Sequence, residues 1–547
     1  MVLETLRSLS GRLALRLALA AVETRQRPLV DRFIADVRTT REKITGLIRQ
    51  ILAAALPADD LDALARGLNR VDTRQAELSA FISDAENAVD SGIDAPRMRR
   101  LVGLAQHLGD LIWRLSEGRQ GYGRAHLGLV LCSDAPSGWG GVFPNNPFRD
   151  PVTVDLTGDG AQLAAGLLEG QLRHATEGFI LMRKASLELE SPADAARQWS
   201  SLDVLSWRDL TAEERALCPS LLLVGSTAVL AGRGLAQVAW LLGTDLPLKM
   251  MLFADLDLGL STRAALETPL VAAADPAINL ALLALAQRGA CIAQSSIGAP
   301  EHLGHSLDAA WAFTGPALLH VHAPSPGRHG FAPQLTVEQA RRALEARVFP
   351  LFRYDPRGEG VFGSRLSLEG NPEPSATWTG EALGHATTPA DWALTEGRFA
   401  SCFASLPEDA PYPMPLAEYL MLDDAARGGR TPFVSLTRQD GGSTRYAVAA
   451  SLVGASEGCQ HAWRTLQELA GVVTPFTSRI EREVRDGVAA AHEAELRALR
   501  DEYEGRIHNL QEEMREKTRE DICDRLMVLA GYGGGGVGDQ ASSGASH

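Results

Sequence analysis

Six short apolar runs alternate with helical segments between residues 119 and 365. Most of these runs are apolar at successive positions, which is typical of strands that are buried on both faces and joined by helical crossovers. The pattern therefore predicts an α/β domain built on a doubly wound, mostly parallel sheet. The runs read LGLVL, VTVDL, SLLLVG, LKMMLFA, ACIAQ and ALLHVHA.

Residues 1–118 have a helical pattern throughout. Apolar residues recur there at three- and four-residue spacing in two groups. Pro57 separates the two groups, and the second group ends near Gly92. We expect an N-terminal helical bundle whose last helix is broken by the glycine-rich stretch Gly118–Arg124. The apolar run Leu13–Val22 is interrupted by an arginine and lacks a small-residue cleavage site, which favours an amphipathic helix over a secretory signal.

Two further regions and a tail follow the predicted sheet. Residues 366–474 contain a hairpin pattern, TPFVSLTR and STRYAVAASL around a QDGG turn, and then a helix, which together predict an α+β appendage. Residues 475–530 read as one helix about 75 Å long at 1.5 Å per residue. Ser478 and Glu481 are expected to form the capping box at its start. We expect the glycine-rich tail 531–547 to be disordered.

A narrow apolar seam runs along the long C-terminal helix. Acid-first pairs four residues apart, such as Glu493 and Arg497, add helical stability. An exposed helix with so thin a seam is best stabilised by another helix. We expect it to pair with itself, with the N-terminal bundle or with a different subunit, and the sequence leaves these three open. The seam residues are Ile480, Val484, Leu496, Leu499, Tyr503, Ile507, Leu510, Met514, Ile522, Leu526 and Leu529.

Composition narrows the class of protein. The chain has 547 residues and a net charge of -15, which argues against general nucleic-acid binding because that requires a basic surface. No apolar stretch reaches the roughly 18 residues of a membrane-spanning helix. The six cysteines are scattered and form no C-x-x-C pair, so we expect reduced thiols in a cytoplasmic protein.

An ordered series of segments from Leu129 to Arg357 resembles the thiamine-diphosphate domain of the pyruvate:ferredoxin (flavodoxin) oxidoreductase family. The segments are LVLCSDAPSGWGGVFPNNPF, LCPSLLLVGSTAVLAGRGLAQVAWLL, LKMMLFADLDLG, ACIAQSSIGAPEH, GPALLHVHAPSPGRHGF and ARRALEARVFPLFRYDPR. The resemblance implies a thiamine-diphosphate-binding fold for the sheet. It also implies oxidative decarboxylation of a 2-oxo acid, with thiamine diphosphate, magnesium, CoA and ferredoxin or flavodoxin as the cofactors and further reactants.

The same resemblance implies which residues would contact the cofactor. In open α/β sheets, ligands bind beyond the carboxyl ends of the strands, so we expect these loops to form a pocket even without a metal. The residues are Cys132, Ser133, Gly140, Gly141 and Asn145 after the first run, Gly225, Ser226 and Thr227 after the third, Asp255, Asp257 and Gly259 after the fourth, and Arg328 and His329 after the last.

The chain departs from the family at the cation site. The family uses a carboxylate in a Gly-Asp-Gly turn and a later Asn, whereas this chain has Ser226 in the turn and no Asn after the next strand. A neutral hydroxyl offers no charge to offset the desolvation of magnesium. Asp255 and Asp257 either take over as ligands or cap the strand-to-loop transition, and we favour capping. A literal Gly-Asp-Gly at 158–160 lies in a peripheral strand-turn-helix, where Asp159 is expected to cap the helix.

Iron–sulfur clusters are not expected in this chain. The family holds them on clustered thiolates, but the corresponding segments here read SEGRQGYGRAHLG and SPGRHG and contain no cysteine. We expect no resident metal, and thiamine diphosphate with magnesium is a cofactor that the resemblance alone implies.

The histidines and possible nucleophiles have ordinary structural interpretations. His320 and His322 on one strand, and His302 and His305 on a helix, are expected to be satisfied histidines rather than metal ligands. Arg328 and His329 are alternatively placed to donate to an anion. The candidate nucleophiles are Ser295, Ser296 and Cys132. None of them has a partner His and acid at a recognisable spacing in the sequence, so we do not expect nucleophilic catalysis.

Two main functions are compatible with these observations. The first is a divergent subunit of a pyruvate:ferredoxin oxidoreductase-like complex, which would need a second subunit with pyrimidine-binding and ferredoxin-type domains. The second is a non-catalytic structural or regulatory paralogue that recruits partners, or a second copy of itself, through its long helix. The missing metal ligands and cluster thiolates favour the second. A third, remoter function is binding of another anionic ligand in the former cofactor cleft.

Overall fold

The computed structural model places the chain in two compact units, Met1–Val472 and Val473–His547. The residues that the structure describes are 9–55, 94–132, 151–155, 157–227, 230, 234–260, 279–381, 386–407, 409–437 and 442–532. The first unit contains two sheets with their helices, and the second contains one long helix.

The main sheet has eight strands in the order β2-β1-β3-β4-β6-β5-β7-β8. The first six strands pair in parallel, and β7 and β8 add an antiparallel edge. The prediction of a mostly parallel α/β sheet is confirmed, and each of the six apolar runs contains a strand. The strands are β1 Leu127–Leu131, β2 Val152–Val154, β3 Ser220–Ser226, β4 Leu248–Ala254, β5 Cys291–Ser296, β6 Ala317–His322, β7 Phe352–Tyr354 and β8 Leu366–Ser367.

Fifteen α-helices lie among the described residues. They are α1 Leu9–Ala55, α2 Ala95–Ser116, α3 Gly160–Glu190, α4 Pro192–Leu202, α5 Ala212–Ala216, α6 Leu235–Leu242, α7 Leu280–Leu285, α8 Pro300–Ala312, α9 Pro326–His329, α10 Thr336–Glu345, α11 Pro389–Ala393, α12 Leu416–Tyr419, α13 Asp424–Arg427, α14 Ala450–Leu469 and α15 Pro475–Leu529. Helices therefore account for most of the crossovers that the sequence pattern predicts.

Helices cover both faces of the main sheet, which explains why its central strands are apolar throughout. Helices α3, α6 and α7 pack on one face, where Leu223 and Leu252 belong to the buried cluster. On the other face, α8 and the first half of α1 cover residues such as Val224 and Leu319. Burial on two sides removes the need for alternation of apolar and polar residues.

The N-terminal helices pack against the sheet domain as well as against each other. Helix α1 runs through Pro28 without ending, and Val37 and Ile44 in its second half pack against α2 and α3. The predicted helical pattern is confirmed for Leu9–Ala55 and Ala95–Ser116, and the first half of α1 also packs against the sheet. Helix α2 ends before Gly118, as predicted, whereas Pro57 and Gly92 lie outside the described residues.

The appendage is a four-stranded sheet with order β10-β11-β12-β9. Its strands are β9 Phe403–Ser405, β10 Pro413–Pro415, β11 Thr431–Thr437 and β12 Ser443–Val448. The antiparallel pairing of β11 with β12 confirms the predicted hairpin. Helix α14 follows it and buries Trp463, so the predicted α+β character of this region is also confirmed.

Helix α15 is 55 residues long and begins at Pro475. Ser478 is therefore already inside the helix, whereas the side-chain contact predicted between Ser478 and Glu481 lies outside what the structure describes. The predicted pair of Glu493 and Arg497 is present, with 2.6 Å between carboxylate and guanidinium. In the described part of the chain, no helix combines the length and the apolar character needed to cross a bilayer.

Candidate functional site

Four loops meet at the carboxyl edge of the main sheet. Strands β1, β3, β4 and β6 are consecutive neighbours, and their parallel register pairs Ser226 with Phe253 and Ala254 with His322. Parallel strands end at the same edge, so the residues that follow them come together. The residues predicted from the resemblance are thus brought to one edge, except Ser133, Gly140, Gly141 and Asn145, which lie outside the described residues.

The end of β3 is closely packed. A Cβ atom on Gly225 would lie 2.7 Å from Leu230 Cδ1 and 3.2 Å from Cys132 Sγ, so a glycine is needed for this approach. The Thr227 hydroxyl lies 3.1 Å from the Phe253 carbonyl oxygen. Gly225 therefore serves packing between neighbouring loops, and Thr227 is committed to protein partners.

A buried polar chain extends from Thr227 into the sheet. The Thr227 hydroxyl lies 3.0 Å from His320 Nε2, and His320 Nδ1 lies 3.0 Å from the Gln294 side-chain oxygen. The Gln294 amide then donates to the Pro350 carbonyl at 2.8 Å. Burial lowers the pKa of His320 to about 4, so this imidazole is neutral near pH 7 and links the two side chains.

The loop after β4 has an alternating backbone. Leu256 and Leu258 adopt left-handed conformations, with φ of 56° and 54°, and Gly259 follows at 67°. A left-handed backbone costs a leucine about 1–2 kcal/mol, because Cβ crowds the following carbonyl oxygen. Both leucines pack against the apolar cluster of the appendage. This packing offsets the strain and leaves Asp255 and Asp257 for polar contacts.

Arg328 holds both acidic residues of this loop. Its Nη2 donates to Asp257 Oδ2 at 2.8 Å, and its Nη1 donates to Asp255 Oδ2. Although burial opposes it, the charges of Asp255 and Asp257 raise the pKa of Arg328 above its usual value. Asp255 and Asp257 thus bind a guanidinium instead of capping the strand end, and our capping interpretation is wrong.

A second arginine, which the sequence pattern did not indicate, reaches the same loop from the appendage. Arg398 Nη1 donates to Asp257 Oδ1 at 2.6 Å and to the Asp255 carbonyl at 2.7 Å. Its Nε donates to Glu396 Oε2 at 2.6 Å, and the side chains of Arg398 and Glu396 are essentially fully buried. The Phe399 ring lies 4.6 Å from the Arg398 guanidinium carbon. No motif near residue 398 signals this role, because its partners lie about 140 positions earlier in the chain.

Two histidines beside this network are buried and neutral. His322 Nδ1 lies 3.3 Å from the Ala254 carbonyl, and His329 Nδ1 lies 3.7 Å from Glu396 Oε1. Neither ring nitrogen of His329, nor Nε2 of His322, has a hydrogen-bond partner among the described residues. Burial lowers the pKa of His322 to about 3 and that of His329 well below its usual value. The expectation that His322 is satisfied is therefore half right, because one of its two ring nitrogens has a partner.

The described residues of this edge do not fit a cofactor of the thiamine-diphosphate type with its magnesium. A cation would have to displace two guanidinium groups from Asp255 and Asp257, and Ser226 adds no charge. A diphosphate would meet two arginines and three carboxylates, counting Glu396, and thus a net negative cluster. In the described part of the chain, no group of three or more His, Cys, Asp or Glu side chains is arranged to hold a metal.

A serine–histidine contact occurs elsewhere in the sheet domain. Ser295 Oγ lies 2.9 Å from His302 Nδ1, a contact that no recognisable sequence spacing indicated. Both residues are buried, and burial lowers the pKa of His302 to about 4. Within the described residues, His302 Nε2 has no partner that would orient the ring as a triad acid does. The contact is therefore structural.

The literal Gly-Asp-Gly turn at 158–160 is held by a different acid from the one expected. Asp159 stands before α3, but its side chain makes no capping hydrogen bond. Asp155 instead accepts from the Thr157 amide at 2.9 Å and the Thr157 hydroxyl at 2.8 Å. The capping prediction for Asp159 is wrong, whereas the interpretation of this segment as a peripheral strand-turn-helix is confirmed.

The fold and this edge define an α/β protein with a mostly parallel eight-stranded sheet, whose strand-end carboxylates are bound by two arginines of the same chain. No protein-family model matches the chain.

Proposed function

We propose that this chain is a divergent subunit of a pyruvate:ferredoxin oxidoreductase-like complex and that it supplies structure and partner contacts rather than cofactor chemistry. The observation that carries the proposal is the binding of Asp255 and Asp257 by Arg328 and Arg398. These acids lie where the family resemblance would place the cation and diphosphate. Their carboxylates stabilise the loop and the appendage instead.

The buried hydrogen bonds at this edge of the sheet support a structural role. Arg398 connects the appendage to the loop after β4, and the buried Glu396 binds the same arginine. Removing one partner from such a buried network is costly, because it leaves an uncompensated charge. A site that must admit and release a large anionic cofactor would not gain from such a fixed internal network.

The need for a companion subunit comes from the resemblance, whereas α15 supplies a surface for partner contacts in general. A complex of this family needs a pyrimidine-binding domain and iron–sulfur clusters, and we propose that a second subunit provides both. Helix α15 exposes apolar side chains along its length, including Tyr503 at 56 % and Leu510 at 58 %. Exposed apolar surface of this extent is typical of an interaction site.

Calorimetric titration of the full chain with thiamine diphosphate and magnesium tests the proposal. We expect no saturable binding at millimolar cofactor, because the carboxylates are already paired. Saturable binding that is lost in Asp257→Asn would contradict the proposal. Asp245→Asn is the matched control, since Asp245 forms an exposed pair with Arg208.

Purification of the tagged chain from its native cell tests the need for a companion subunit. We expect a companion chain in fixed stoichiometry that carries a cysteine-rich ferredoxin-type domain and a pyrimidine-binding domain. A chain that purifies without any stoichiometric companion, after cross-linking in the intact cell, would contradict it.

A further inference from the structure

Helix α15 carries an apolar seam that the described residues of its own unit leave uncovered. The side chains of this seam expose between 45 % of their surface, at Leu499, and 69 %, at Met514. Isolated helices in water depend on packing of their apolar face. From here on the seam includes Val488 and leaves out the terminal Leu529, and it consists of Ile480, Val484, Val488, Leu496, Leu499, Tyr503, Ile507, Leu510, Met514, Ile522 and Leu526.

The spacing of the seam is symmetric about Tyr503. Leu499 and Ile507 lie four residues before and after it, and Leu496 and Leu510 lie seven residues before and after it. The symmetry continues outwards at 19 residues and at 23 residues, with Val484 and Ile522 and then Ile480 and Leu526 as the matching residues. Four pairs of apolar residues are therefore equidistant from one central aromatic residue.

At two intermediate distances from Tyr503, an apolar residue on one side matches a polar residue on the other. Met514 matches His492 at 11 residues from Tyr503, and Val488 matches Thr518 at 15 residues. Each mixed pair still places one apolar side chain at its level. Between residues 480 and 526, four of the six levels around Tyr503 are thus apolar on both sides, and the other two are apolar on one side.

Such a seam is what an antiparallel pair of identical helices needs. A twofold axis through the centre places each residue opposite the one at the same distance on the other side, so apolar residues meet only if their spacing is symmetric. Parallel pairing in register, or pairing with an unrelated helix, does not require this symmetry. The spacing therefore favours a second copy of this chain over another partner.

Charges beside the centre of the seam are compatible with the same arrangement. In an antiparallel pair centred on Tyr503, Arg500 lies at nearly the level of Glu504 of the second copy, on the same side of the seam. On the other side, Arg506 lies at nearly the level of Glu502 of the second copy. All four residues are exposed in the isolated chain, so they are accessible for such pairing.

We propose that two copies of this chain associate through α15 as an antiparallel two-helix coil whose twofold axis passes beside Tyr503. The distance of 11 residues from Leu496 to Ile507, and again from Leu499 to Leu510, indicates a right-handed winding. This interface goes beyond the proposed function, because it depends on α15 alone and not on whether the sheet edge binds a cofactor.

Sedimentation equilibrium of the full chain tests the association. We expect a dimer for the unmodified chain and a monomer for Ile507→Glu, which buries a charge in the interface. His508→Glu is the control, because it introduces the same charged side chain at the next position, which lies outside the seam. This variant should leave the dimer intact. An unmodified chain that is monomeric at micromolar concentration, or a dimer that persists in Ile507→Glu, would overturn the proposal.

Disulfide cross-linking tests the orientation. The exposed native thiol is first removed by Cys523→Ser. We expect Tyr503→Cys to form a covalent dimer on mild oxidation, since the two sites meet at the axis, and Leu526→Cys to form none. In an antiparallel pair, two copies of residue 526 are about 70 Å apart at 1.5 Å per residue.

A mixture of chains supplies the positive counterpart. Ile480→Cys chains and Leu526→Cys chains, mixed and annealed, should cross-link to each other, because these positions are equidistant from Tyr503. Cross-linking of Leu526→Cys to itself, without cross-linking in the mixture, would show a parallel pair and overturn the antiparallel arrangement. Neither result depends on thiamine diphosphate, so a failure here is distinguishable from a failure of the proposed function.

Discussion

Buried imidazoles in and beside the main sheet make its stability depend on pH. Burial lowers the pKa of His320 and of His302 to about 4 and that of His322 to about 3. In the unfolded chain these groups titrate near pH 6.5. Between the two values the unfolded chain binds protons that the folded chain does not, so stability falls as the pH falls below about 6.5.

The pH dependence gives a direct prediction for His320. We expect the free energy of unfolding in urea to fall between pH 7 and pH 4, with His320 contributing about 3 kcal/mol of the loss. The variant His320→Gln should show a smaller fall over this range, whereas His305→Gln, at an exposed position, should match the unmodified chain. Equal pH dependence in all three proteins would contradict the assignment.

Single residues differ in how far the sequence predicts their environment. Asp255, Asp257 and Arg328 could be placed at one edge, because they directly follow parallel strands. Arg398 and Glu396 could not be placed there, because they belong to the appendage and no recognisable motif surrounds them. A contact between residues far apart in sequence depends on tertiary packing, which local patterns do not contain.

At the scale of elements, the sequence predicted the buried strands more accurately than it predicted the ends of the helices. Six parallel strands were predicted, but β7 and β8 were not, since they have only three and two residues. Helix α15 begins before its expected cap. Strands buried on two faces leave a strong signal, whereas helix ends depend on local capping contacts that several nearby residues could supply.

One buried acid joins two of these elements. Glu188 on α3 accepts from Arg100 Nε at 2.7 Å and from Arg97 Nε at 3.4 Å, both on α2. Its side chain is fully buried, while both arginines are about a quarter exposed. The acid therefore links α2 to α3 and offsets part of the positive charge of the two arginines.

We expect Glu188→Gln to destabilise this contact by about 1–3 kcal/mol, because charge-assisted hydrogen bonds are lost. Amide hydrogen exchange in α2 should accelerate. Glu177→Gln on the same helix is the control, since Glu177 is exposed and pairs only with the exposed His174. If exchange in α2 accelerates equally in both variants, the role given to Glu188 is wrong.

At the scale of the whole molecule, all six cysteines are free, and their burial differs between the two units. Cys132, Cys218 and Cys291 are buried in the first unit, and Cys523 is exposed on α15. Burial raises the pKa of Cys218 and of Cys291 to about 11. A thiol reacts through its thiolate, so these buried groups should be slow to react.

Labelling with a thiol-reactive chromophore under native conditions should therefore show a fast phase, and Cys523→Ser should remove the part of it that exposed Cys523 contributes beside the half-buried Cys402 and Cys459. The buried thiols should react at the rate of unfolding, and denaturant should expose them together. A fast phase that remains in Cys523→Ser at full amplitude would contradict the assignment of exposed and buried thiols.

The central claim is that the strand-end carboxylates belong to an internal network with arginines. A double-mutant cycle between Asp257 and Arg398 tests it most directly, with Asp257→Asn, Arg398→Met and the double variant compared by urea unfolding. We predict a coupling energy of about 1–3 kcal/mol, because the 2.6 Å contact involves a buried arginine. Single effects that add within about 0.5 kcal/mol would show that the two residues do not interact, and would contradict the claim.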